Sequence, residues 1–169
     1  MATKSTKSTK TTRAKVAAPA AKRAATSAKK APRARTQPKG LALSAVSPSF
    51  TVDDLEKSIG WYRDVLGFAV TDRWEHEGKL MGVELQAGGV TFMLGQDDWK
   101  KGRDRVKGEA LRIYCETTQD VDRLAEQIKA RGGTLAQEPT DESWGARRIS
   151  VDDPDGFKIT LFKMLPRRR

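Results

Sequence analysis

VDDLEKSIGWYRDVLGF, residues 52–68, is the stretch on which the fold turns. Asp53 and Asp54 offer carboxylates to the free N–H groups at a helix start. Leu55, Ile59, Tyr62 and Leu66 then recur at steps of four, three and four, which places them on one helix face. Gly67 tolerates the left-handed backbone of a helix end and stops it. Ahead of the helix, Val46, Phe50 and Val52 alternate with Ser47, Ser49 and Thr51, the period of a half-buried strand. Behind it the pattern predicts strands over about 68–75, 79–86 and 90–95, with turns at Glu77-Gly78 and Gly88-Gly89.

The same order recurs after a charged connection from about Gln96 to Lys107. Leu111, Ile113 and Cys115 alternate with Arg112 and Tyr114, and a helix from about Gln119 turns Val121, Leu124 and Ile128 inward until Gly132-Gly133. Strands are expected near 134–138, 146–152 and 157–163, the last two joined by Asp153-Pro154-Asp155-Gly156. Leu55 and Val121, Tyr62 and Ile128, and Gly67 and Gly133 all lie 66 positions apart, while Phe92 and Ile159, like Leu94 and Leu161, lie 67 apart. Such an internal repeat implies pseudo-twofold symmetry. The fold class is therefore α+β, with two tandem β-α-β-β-β modules over about 41–96 and 107–166.

Charge divides the chain differently. Residues 1–40 hold 12 of the 32 Lys and Arg and none of the 22 Asp and Glu, so the rest carries 20 basic against 22 acidic residues. The sequence predicts one domain over 41–166 with a basic appendage. The appendage is built from Ala, Lys, Arg, Ser, Thr and Pro, with only Met1 and Val16 fit for a core. It is expected to be disordered, because it buries too little apolar surface to offset the entropy of ordering. Its composition looks like the tails of linker histones and their bacterial relatives. One cysteine, Cys115, excludes an intrachain disulfide and suits a reducing compartment. No apolar stretch approaches the roughly 20 residues of a membrane helix, and no signal peptide is apparent, so a cytoplasmic protein is expected.

VDDLEKS at 52–58, WYRDVLGF at 61–68, Trp144-Gly145-Ala146-Arg147, and VDDPDGF at 151–157 together resemble the vicinal oxygen chelate superfamily of glyoxalases, extradiol dioxygenases and bleomycin resistance proteins. The resemblance spans nearly all of 41–164. It implies a curled eight-stranded mixed sheet with an open cavity, helices outside and ligand within. Metal-dependent members place a His on the first strand of each module and a Glu on the last, leaving open metal positions that chelate two neighbouring substrate oxygens. Here the corresponding positions hold Ser47, Met93, Ala110 and Thr160, none a carboxylate or imidazole. The single histidine, His76, sits by a hairpin turn, where exposure is the default. No metal and no cofactor is therefore expected.

Strand parity selects a cavity face. Ser47 and Ser49, Arg112 and Tyr114, Glu84, Arg148 and Ser150, and Lys158, Thr160 and Phe162 all fall on it, opposite Phe157, Ile159 and Leu161. Such a face is either simply wet or a site for an anionic or aromatic ligand held by Arg112, Lys158 and Tyr114, with Trp99 and Trp144 on rim loops. Trp61 and Trp74 are expected in the core or at an interface. Glu84 is the candidate for a general base, with no second titrating group placed beside it. Cys115 shares parity with Ile113 and reads as a small core residue. The Asp153-Pro154-Asp155-Gly156 loop reads as a turn rather than an ion site.

The leading expectation is a small-molecule-binding protein of the glyoxalase and bleomycin resistance type without metal ligands, as a homodimer. Its tail, through Lys4, Lys7, Lys10, Arg13, Lys22, Arg23, Lys29, Lys30, Arg33 and Arg35, would bind nucleic acid or other polyanions without sequence preference. Arg167-Arg168-Arg169 adds a smaller basic end. The alternatives are a metal-dependent lyase or dioxygenase of the same superfamily, and a nucleoid-associated DNA-binding protein.

Overall fold

The computed structural model describes residues 40–166 apart from residue 42, so all twelve tail cations and the final three arginines lie outside the described residues. The first module runs β1 (Ser49–Val52), α1 (Leu55–Trp61, continued by a π-helical turn at Tyr62–Leu66), β2 (Ala69–His76), β3 (Lys79–Ala87) and β4 (Val90–Gln96). The second runs β5 (Arg112–Glu116), α2 (Val121–Ala130), β6 (Gln137–Glu142), β7 (Ala146–Asp152) and β8 (Lys158–Met164). The eight strands divide between two four-stranded sheets, ordered β1-β4-β3-β2 and β5-β8-β7-β6. In each the first strand pairs parallel with the last, and the other pairs are antiparallel.

Local chemistry sets the helices. The Asp54 side chain accepts from Lys57 N–H and Asp120 from Arg123 N–H, at 3.0 and 2.9 Å. Each satisfies a backbone donor that the helix itself leaves free. Gly67, at φ 83°, closes the π-helical turn in the left-handed conformation.

Packing joins the modules. Phe50, Val52, Val83, Leu85, Phe92 and Leu94 form one core with Ile149, Val151 and Ile159, together with the inward residues of both helices. Phe50 stacks on Phe157 at 4.4 Å between ring centroids. The Tyr62 hydroxyl donates to Asp153 Oδ2 at 2.9 Å, and Asp53 N–H to Asp155 Oδ1 at 2.7 Å. Burial raises the Tyr62 hydroxyl's pKa, with the neighbouring Asp153 charge adding to it, and burial also raises that of Asp153. The helix-bearing sides of the two sheets thus share a core, and their opposite sides remain outside.

The connection between modules is fastened by charge. Lys107 Nζ lies 2.9 Å from Asp97 Oδ2 and also pairs with Asp53, while Arg105 pairs with Asp97. Burial opposes the Lys107 charge, but hydrogen bonds to Asp53 and Asp97 outweigh it and raise its pKa. The Lys107 hydrogen bond and then the Trp99 N–H lower that of Asp97 to about 2. A carboxylate depressed in the fold stabilises it above its unfolded pKa, about 4, and the contribution disappears as pH falls from there to about 2. Urea midpoints measured across that window should fall less steeply for Asp97→Asn than for the parent; equal slopes would refute the assignment.

Several expectations need correction. Val46 is 87 % exposed, and β1 begins at Ser49, leaving Ser47 ahead of the strand. The ladder to β4 opens at Pro48, whose carbonyl accepts from Met93 N–H but which has no N–H of its own. Leu111 is 42 % exposed, because it lies in a turn after Ala110, itself at φ 59°. Strand β6 starts at Gln137 rather than near 134, its end set by the turn in which Gly145 N–H donates to Glu142 O. Of the two places expected for Trp74, core or interface, the core is excluded: it is 40 % exposed and lies over Gly82, on the side of its sheet away from the core. Trp61 does pack against the core, as does Cys115, whose thiol pKa burial pushes up. Among the described residues no helix is long and apolar enough to cross a membrane.

Candidate functional site

The outer side of the second sheet gathers most of the expected residues. In register, Arg112 sits opposite Lys158, Tyr114 opposite Thr160, and Glu116 opposite Phe162. Across the next ladder Lys158 faces Asp152, Thr160 faces Ser150, and Phe162 faces Arg148. Residues directly opposed on neighbouring strands point to the same side of a sheet, so these form three rows across one surface.

The middle and far rows are tightly connected. Ser150 Oγ and Thr160 Oγ1 share a hydrogen bond of 3.0 Å, both residues buried. Arg148 Nη1 donates to Ser150 Oγ at 2.9 Å, and its Nε donates to Glu142 Oε1 at 2.6 Å. Phe162 carries Tyr114 and Trp144 edge-on at 6.2 and 5.4 Å between centroids. Tyr114 and Trp144 are each about half exposed. The first row is open: Arg112 and Lys158, with Ala110 and Leu111, line a shallow depression of about 180 Å³. Neither Arg112 nor Lys158 makes an ion pair with the described residues. Unpaired cations beside an accessible aromatic group suit an anion with an apolar body.

The outer side of the first sheet has the opposite charge. Glu84 stands opposite Asp72 and Met93 in register and accepts from Thr71 Oγ1 at 2.8 Å. Ser49 pairs with Met93 at the edge, and Trp74 covers Gly82. No second titrating group in a relay joins Glu84 among the described residues, so its geometry is that of a hydrogen-bonded surface carboxylate. His76 is 78 % exposed at its side chain and meets only Glu77 among the described charged groups.

Trp99 departs from the expected rim role. It stands at φ 59° in the connecting segment, with Arg103 over its ring at 4.2 Å and Lys107 at 5.2 Å. It belongs with the Lys107 ion cluster and does not join the Tyr114, Phe162 and Trp144 group. The Asp153–Gly156 turn is structural, its two carboxylates holding Tyr62, Ser58 and backbone N–H groups. One partner was hidden in the sequence. Glu142, which orients Arg148, depends on a β6 register with a shift between Gln137 and Thr140. Phe162, in contrast, falls on the face that parity selects and emerges as the hub of the aromatic group.

Of the four positions that the sequence resemblance aligned with metal ligands, Ser47 precedes β1 and Ala110 lies in the turn before β5, both exposed. Met93 is on β4, and Thr160 is tied to Ser150. Among the described residues no cluster of three or more His, Cys, Asp or Glu could hold a metal ion.

Comparison with known proteins agrees with this architecture. A probable lactoylglutathione lyase of Vibrio cholerae is 29 % identical over 118 residues, covering 66 % of this chain and 84 % of its own. A lactoylglutathione lyase of Arabidopsis thaliana is 25 % identical over 123 residues, and there the match spans 69 % of this chain but only 43 % of the relative. A solved glyoxalase/bleomycin resistance protein/dioxygenase structure from Nocardioides superposes with a TM-score of 0.61 at 20 % identity, covering 78 % of this chain and 90 % of that one. TnmS3, an antibiotic binding protein from Streptomyces, superposes with a TM-score of 0.58 at 26 % identity, covering 74 % and 99 %. The model of the glyoxalase/bleomycin resistance protein/dioxygenase superfamily matches residues 22–161, and the chain belongs to that family.

Proposed function

We propose that this protein binds a small molecule on the outer side of its second sheet without a resident metal, and that it works as a homodimer. The observation that carries the proposal is the Arg112 and Lys158 pair, free of ion pairs with the described residues, beside the exposed Tyr114 and Trp144 on the half-buried Phe162. The antibiotic-binding description of TnmS3 supports a binding role on this scaffold. The residues at the four metal positions support metal independence, since a hydroxyl pair, a thioether and a methyl group are poor ligands for a divalent ion.

The layout of the faces supports the dimer. Within one chain the helix-bearing sides share the core, so a surface open on one side needs a second wall to enclose a ligand. The Asp72 and Glu84 face, with Trp74 exposed, complements the Arg112 and Lys158 face in charge. A second copy can supply each face to the other.

Metal analysis of purified protein is the direct test. The expected result is far less than one equivalent of nickel, zinc, iron or manganese per chain. Stoichiometric metal would favour the lyase or dioxygenase alternative, which the lactoylglutathione lyase relatives make the natural rival. The segment 1–40, with twelve cations and no carboxylate, is proposed to hold polyanions nonspecifically. Deleting it should release the protein from DNA-cellulose at low salt; unchanged retention would eliminate that role and with it any nucleoid-associated function of the tail.

A further inference from the structure

The three rows on the second sheet differ in what they offer a ligand. The first presents Arg112 and Lys158, and Asp152, the carboxylate opposite Lys158, makes no ion pair with it. A net positive charge remains there. The third row presents Arg148, which is a different kind of cation. Its Nε is bound to Glu142 and its Nη1 to Ser150, while Nη2 has no partner among the described residues. Its side chain is 13 % exposed and that of Glu142 24 %. Every fully buried side-chain polar atom among the described residues has a partner, so Nη2, which has none, is not fully buried. Glu142 offsets the guanidinium charge, which leaves Arg148 a fixed N–H donor suited to a neutral acceptor oxygen more than to an anion.

The aromatic group links the rows: Tyr114 of the middle row and Trp144 both meet Phe162 edge-on in the third row, where Phe162 stands directly opposite Arg148. Lys158 and Phe162 are four residues apart on β8, a separation of about 13 Å along an extended strand. We propose, building on the function put forward above, that the ligand is a flat acid about two linked rings long. Its anionic group rests between Arg112 and Lys158, its rings cross the middle row against Tyr114 towards Phe162, and a neutral carbonyl or ether oxygen at the far end accepts from Arg148. Both ends are read separately, so removing one leaves the other's contribution intact.

Isothermal titration of the full chain with three probes tests this: para,para′-acetylbiphenylcarboxylate, its carboxamide, which lacks the charge, and the ethyl analogue, which lacks the far oxygen. The native protein should prefer the acetyl acid over the carboxamide by about tenfold, the scale of one charge-assisted contact. It should prefer it over the ethyl acid by about threefold to tenfold, the scale of a neutral hydrogen bond. The double variant Arg148→Met with Glu142→Gln leaves no uncompensated carboxylate. It should abolish the acetyl preference and keep the preference for the acid. Arg112→Met with Lys158→Met, both exposed, should do the reverse. A preference that survives its variant, or both preferences falling together in either one, overturns the two-ended site. Equal binding of all three probes by the native protein overturns it while leaving the proposed function standing, and binding of none removes both.

Discussion

Gly108→Ala is expected to destabilise the protein by about 2–5 kcal/mol, because two independent penalties meet at one methyl group. Gly108 stands at φ 67°, where an L side chain is strained. A Cβ there would also fall inside contact distance of the Gly156 carbonyl and lie 2.5 Å from Phe157 N. These are backbone atoms, which cannot rotate aside as a side chain could. The approach is reciprocal, since a Cβ on Gly156, at φ 85°, would come within 3.3 Å of Lys107 O. The end of the inter-module connection is thereby pressed against the turn before β8, which fixes Lys107 in its ion cluster and sets Arg112 beside Lys158. Gly102 is the control: it has φ 86° but nothing within 4 Å of an added Cβ, so Gly102→Ala carries only the backbone term. Urea denaturation of both variants decides the matter, and equal losses at the two positions would refute the close approach as the cause.

The ends and order of elements were legible wherever the chemistry is local. Asp54 and Gly67 act on neighbours within a few residues, and the helical and strand periods are properties of short windows. The second-module rows were legible for the same reason. Strands β5, β7 and β8 pair without a register shift, so counting by twos from Phe157 assigns Lys158, Thr160, Tyr114, Arg148 and Ser150 to one side. Counting fails on β2. A register shift between Val70 and Asp72 leaves Thr71 as an extra residue on β2 and re-aims the side chains beyond it, which is why Trp74, opposite Gly82, points away from the core. The Lys107 cluster was hidden for another reason. Charged residues in a connecting segment carry no period, and their partners Asp53 and Asp97 lie 54 and 10 positions away, close only after the modules meet.

Phe50→Ala should cost about 3–5 kcal/mol, the range for emptying an aromatic site in a packed core. Phe50 is 1 % exposed, meets Phe92 edge-on at 5.5 Å within its own module, and stacks on Phe157 from the other. It is therefore a joint between modules as well as a core residue. If both modules rest on one core, the parent unfolds in a single transition and the variant's transition moves to lower urea as a whole. Tryptophan fluorescence gives a composite signal, so the sharper comparison is the parent against Trp144→Phe, which leaves Trp61, Trp74 and Trp99 as reporters from the first module and the connection. The midpoint from that fluorescence should coincide with the one from far-ultraviolet circular dichroism, which reports on both sheets. Separate midpoints, or a Phe50→Ala loss below about 1 kcal/mol, would mean that the modules are stable apart. A shared core has a functional corollary. Because Phe50, Phe157, Ile149 and Ile159 bury the inner sides of the sheets against each other and the helices, the outer rows need contribute little to folding. Arg112, Tyr114 and Lys158 are exposed in the folded chain, and substitutions among them are free to change what is bound without unfolding the protein that binds it.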